Sequence, residues 1–76
     1  EFGRDPAGER TIVDVQTAEA PGVLRRITRA FFEEGHEILL ARCDTEADRA
    51  SDVFYVPPMD EAAQGRLRER LERYLR

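Results

Sequence analysis

The 76-residue sequence has no tryptophan, no lysine and no asparagine, one cysteine, one histidine, and no long apolar run. Cys43 alone can form no intrachain disulfide, and neither a zinc cluster nor a redox pair can be assembled around it. Stability must therefore come from burial. A chain of this length makes one domain and buries only about 60% of the surface it exposes when unfolded, so a partner chain is the expected source of more. All twelve basic residues are arginine, a pattern that reads as genomic codon bias rather than as a phosphate-binding device. The net charge of −4 argues against nucleic acid, whose binding needs a positive surface. No apolar stretch has the length of a membrane span and no signal-peptide pattern is present, so a cytoplasmic protein is expected.

Residues 1–8 lack periodicity and carry two glycines and a proline, which reads as a linker or remnant ahead of a domain over 9–76. The alternating, β-branched run from Arg10 to Ala18 predicts a half-buried strand, with Val13 and Val15 on one face and Ile12, Asp14 and Gln16 on the other. Val23, Leu24, Ile27, Ala30 and Phe31 recur at helical spacing, predicting a helix from Pro21 to Glu34 that stops at Gly35. Glu33 and Glu34 sit unfavourably at its negative end, a penalty that packing must offset. A second strand is expected over 36–45. Its apolar residues break a period of two, which requires either two covered faces or a bulge near Leu39 and Leu40.

After a polar connection over 46–50, the run 51–56 predicts a third strand, ended by Pro57 and Pro58. Phe54 and Val56 are placed toward the helices, Val53 and Tyr55 away from them. A second helix follows, with Asp60 as N-cap and Leu67, Leu71 and Leu75 as its apolar stripe. Glu69–Arg73 and Glu72–Arg76 have the spacing of favourable surface pairs. The order β-α-β-β-α is most of a ferredoxin-like split βαβ unit: an α+β sandwich, an antiparallel sheet with both helices on one face. A fourth strand after the second helix is absent, leaving an edge open to another subunit.

The stretch Glu19-Ala20-Pro21-Gly22-Val23-Leu24 joins the first strand to the first helix. Pro21 suits a first helical position, Gly22 lets another molecule approach the backbone, and a helix N-terminus turns unpaired N–H groups toward an anion. A Pro-Gly that merely starts a helix is the plainer reading. His36 has no Ser or Cys nucleophile beside it, and Cys43 lies along a strand, so no catalytic constellation is expected. Asp44, Glu46 and Asp48 lack the spacing and glycine of a calcium loop, and no metal site or cofactor is expected. Phosphate-hydrolysing enzymes of this fold would need a catalytic asparagine, which the chain does not have.

The acidic residue, any residue, Pro-Gly and two aliphatics at 19–24 resemble the signature of an ACT domain, the amino-acid-sensing module attached to metabolic enzymes. The resemblance spans roughly Thr11 to Leu75, with Glu19 standing where that family usually has Asp. The blocks 30–38, 41–45 and 52–56 are most similar to the C-terminal ACT repeat of bifunctional uridylyltransferase/uridylyl-removing enzymes of the PII signal protein. This resemblance implies a regulatory, non-catalytic module of a nitrogen-metabolism enzyme that binds an amino acid, glutamine first. It implies a ligand site built from Glu19, Ala20, Gly22, Val23 and Leu24 of one domain and His36, Glu37 and Ile38 of a neighbour. That neighbour would be a homodimer partner or an adjacent ACT repeat. Backbone N–H groups near Gly22 would take the ligand carboxylate and Glu19 an ammonium or amide. A ligand-free dimerisation or interdomain docking module of the same fold is the alternative. A small enzyme or nucleic-acid binder on this scaffold is disfavoured by charge and missing catalytic groups.

Overall fold

The computed structural model describes residues 2–4, 10–18 and 20–76. The elements are β1 (Phe2–Arg4), β2 (Thr11–Ala18), α1 (Val23–Glu33), β3 (Leu40–Glu46), β4 (Arg49–Val56) and α2 (Glu61–Tyr74). The four strands form an antiparallel sheet in the order β1-β2-β4-β3. This is the expected α+β, ferredoxin-like arrangement.

Alternation in β2 and β4 decides which side is core. Thr11, Val13 and Val15 are buried on β2, and Ala50, Asp52, Phe54 and Val56 on β4. The register aligns Val13 with Phe54 and Val15 with Asp52, so these residues share one face. Val23, Ile27, Ala30 and Phe31 of α1 and Leu67 and Leu71 of α2 close over it. Phe31 and Phe54 meet at 4.9 Å between ring centroids. Phe54 and Val56 thus point as the alternation predicted.

No strand follows α2 among the described residues, as expected. The edge beside β2 is nevertheless not bare: Phe2–Arg4, read as linker from the sequence, pair with Thr11–Val13. Three residues can do this because Phe2 packs against the core and lies under the Arg68 guanidinium, 5.0 Å from its ring centroid. From Asp14 to Ala18, β2 has no strand paired on that side among the described residues.

The second strand needs a correction. It begins at Leu40, not at His36, and all seven of its residues are exposed. Its irregular apolar pattern thus reflects an edge strand with neither face covered, rather than a bulge or two covered faces. Residues 36–39 are a connection instead. The Gly35 N–H donates to the Phe32 carbonyl (3.0 Å) and the His36 N–H to the Phe31 carbonyl (2.9 Å), with Gly35 at φ 77°. That is the left-handed glycine stop expected for α1. The α2 start also agrees: the Asp60 side chain accepts from the Ala63 N–H at 2.8 Å.

Glu33 and Glu34 at the α1 C-terminus are neutralised from α2. Arg70 reaches both carboxylates, Arg66 lies 3.9 Å from Glu34, and the Tyr74 hydroxyl donates to Glu33. Arg66 and Arg70, which the sequence reading left without partners, thus serve the helix–helix contact. Neither Glu69–Arg73 nor Glu72–Arg76 is an ion pair among the described residues.

Candidate functional site

Ala20, Pro21, Gly22 and Val23 form a tight turn. The Val23 N–H donates to the Ala20 carbonyl at 3.2 Å, and Gly22 has φ 77° and ψ 6°. Proline second and a left-handed glycine third is the type II turn. Pro21 therefore belongs to the turn and not, as its position suggested, to the first turn of the helix. The helix begins at Val23, and the Arg26 N–H closes its first bond onto the Gly22 carbonyl at 3.1 Å.

This helix start has no side-chain cap and no acidic residue in its first turn. The Leu24 and Arg25 N–H groups lie too early in the helix for an intrahelical partner, and they sit at the positive end of the dipole. The space above Gly22 is open: a Cβ built there would meet no atom within 4 Å. Leu24 and Arg25 both line a hollow of about 280 Å³. One wall is the turn and the start of α1, residues 20–25; the other is the sheet, through Cys43, Thr45, Ala50 and Asp52.

The sheet wall contains a charge. Register aligns Val15, Asp52 and Cys43 in one row across β2, β4 and β3. Asp52 is only 4% exposed and lies on the helix side of the sheet, next along from Phe54. Cys43 is exposed as a residue, yet desolvation of its sulfur, followed by a hydrogen bond to Asp52, pushes its thiol pKa up. A protonated thiol at neutral pH is a poor nucleophile. Among the described residues that line it, the hollow presents a helix start, a carboxylate and a thiol.

Of the sequence-predicted site residues, Ala20, Gly22, Val23 and Leu24 line the hollow. Glu19 lies outside the described residues. His36, Glu37 and Ile38 are not brought to it: they follow the opposite end of α1, a helix of 11 residues and so about 16 Å long at 1.5 Å per residue. Within one chain the two sets cannot share a ligand. Sequence reasoning missed Arg25, Cys43, Thr45, Ala50 and Asp52. Asp52 was within reach of it, since it has the same strand parity as Phe54 and Val56, which were placed toward the helices.

Several apolar side chains remain outside the core. Phe32 is 82% exposed, Leu24, expected in the α1 core stripe, is 42% exposed, and Leu39 and Leu40 are also exposed. Leu24 sits beside Val23 on the helix and so turns toward the hollow rather than the core. No helix among the described residues is long and apolar enough to cross a membrane.

No protein-family model matches the chain. It is similar to bifunctional uridylyltransferase/uridylyl-removing enzymes from several bacteria. Identity is 36% over 56 residues with the enzyme of Psychrobacter sp. (strain PRwf-1), covering 74% of this chain and 6% of that protein. It is 31% over 62 residues with that of Psychrobacter cryohalolentis, covering 82% and 7%. With that of Acinetobacter baylyi it is 32% over 56 residues, covering 74% and 6%. The match thus takes in most of this chain and a small fraction of each relative.

Proposed function

The chain is a homologue of one short segment of the bifunctional uridylyltransferase/uridylyl-removing enzymes, and we propose that it is a regulatory ACT module that binds a free amino acid. Glutamine is the first choice of ligand. The observation that carries this reading is the hollow at the α1 start, where an open left-handed Gly22 lies beside helix N–H groups that no side chain caps. Such a place suits a carboxylate. The module is regulatory and not catalytic: its protonated Cys43 and its distant His36 form no acid–base or nucleophilic pair.

Its partner is a second copy of the chain or a neighbouring ACT repeat. In that arrangement His36, Glu37 and Ile38 of one module would face the Ala20–Leu24 turn of the other, completing the two-sided site that one chain cannot form. A docking module without ligand is the second reading. It is favoured by one observation, the full exposure of β3 together with Phe32, Leu39 and Leu40.

Isothermal titration of the 76-residue chain with a panel of amino acids, glutamine first, separates the two. The sensing reading predicts saturable binding that Gly22→Asp weakens tenfold or more, because a carboxylate then faces the ligand's own. The left-handed φ adds a strain of about 1 kcal/mol to that variant, so a modest loss of thermal stability is expected beside the lost binding. Absence of binding by every amino acid, or equal binding by the variant, favours the docking module.

A further inference from the structure

Asp52 is the one acidic side chain on the helix-facing side of β4, in line with Ala50, Phe54 and Val56. A carboxylate taken from water is costly unless it is paired or well hydrogen-bonded. Among the described residues no ion pair forms on Asp52. Asp52 lies against the Cys43 thiol, a weak neutral donor. An ionised carboxylate has about four lone-pair sites, and a single thiol donor occupies one of them. What it faces is the hollow, whose other wall is the uncapped start of α1 with the Leu24 and Arg25 N–H groups. The two walls are opposite in sign, and the space between them, about 280 Å³, is slightly smaller than sites for drug-sized ligands. A small zwitterion fits that polarity, and neither a plain anion nor a plain cation satisfies both walls.

We propose that the Asp52 carboxylate receives the α-ammonium of the bound amino acid, opposite the α1 N-terminus that receives its carboxylate. This rests on the amino-acid-binding reading and deepens it, since the role falls to Asp52 rather than to Glu19. Asp52 then sets the ligand class: α-amino acids are accepted, and carboxylic acids of the same shape without the amino group are not. The competing role for a buried aspartate here is structural, holding the turn in place. A purely structural Asp52 would not distinguish ligands by their amino group.

The test uses the 76-residue chain, L-glutamine, and its deaminated counterpart 4-carbamoylbutanoate, with the same pairing applied to any other amino acid of the panel that binds. The wild-type chain should prefer the amino acid by tenfold or more. Asp52→Asn should lose that preference and bind both compounds as weakly as the wild type binds the deaminated one. Glu19→Gln should retain it, and this variant decides the matter if Asp52→Asn does not fold. Equal binding of the two compounds by the wild type, preference retained in Asp52→Asn, or preference lost in Glu19→Gln would each overturn the assignment while leaving the amino-acid site standing. A wild-type chain that binds neither compound and no other amino acid removes the site itself.

Discussion

At the scale of single residues, the most informative side chains break the local pattern. Asp52 is a carboxylate at a core parity, and Gly22 is a residue whose conformation, φ 77°, an ordinary side chain resists. Gly22 was legible from the Pro-Gly pair, but its backbone angle was not, because proline before glycine serves a helix start and a type II turn equally well. Asp52 was missed because charge is read as a surface signal, and parity, the stronger indicator in a short strand, was applied only to its apolar neighbours. Glu33 makes a prediction of its own. The Tyr74 hydroxyl, then the Arg29 and Arg70 guanidinium groups, hold its carboxyl below the usual carboxylate range. A group with a lowered folded-state pKa stabilises the fold above the unfolded-state value and ceases to do so as pH falls through the folded-state value. Denaturant titrations of Glu33→Gln should therefore show a shallower loss of stability below about pH 4.3, the ordinary glutamate pKa, than the wild type shows. Identical acid limbs would mean that Glu33 is held no more tightly in the folded chain than in the unfolded one.

At the scale of elements, amphipathic spacing located both helices, and its failures have definite causes. The α1 stripe is right at Val23, Ile27, Ala30 and Phe31, while Leu24, one position around from Val23, turns toward the hollow. In α2 the Asp60 cap and the Leu67–Leu71 pair were readable because capping and period act locally. The partners of the α2 arginines were not, since a sequence offers i, i+4 neighbours and only the packed fold brings Glu33 and Glu34 within reach. The β3 pattern was misread because an edge strand exposed on both faces need obey no period. Leu67 is the fully buried member of the α2 stripe. Leu67→Ala should cost about 2–5 kcal/mol, the range for a buried leucine truncated to alanine, read from urea or thermal unfolding. A midpoint unchanged within error would show that α2 does not dock on the sheet as described.

At the scale of the whole molecule, a small core has unfinished margins. β1 pairs three residues of an eight-residue β2, β3 is bare on both faces, and Phe32 stands out into solvent. Strand edges and apolar patches of this kind invite a second chain, and a closed two-fold pair is the commonest solution. Sedimentation of the chain at high micromolar concentration should give a dimer; a compact monomer at that concentration would count against a site shared between two modules. The central claim, that the Ala20–Leu24 turn is where an amino acid binds, has a more direct test. In a ¹⁵N-resolved NMR titration with L-glutamine, the backbone N–H signals of Gly22, Leu24 and Arg25 should move first and furthest, together with those of Cys43 and Asp52 across the hollow, and should saturate together. Spectra that do not change up to high millimolar glutamine and the other amino acids, or shifts confined to residues away from that hollow, would contradict it.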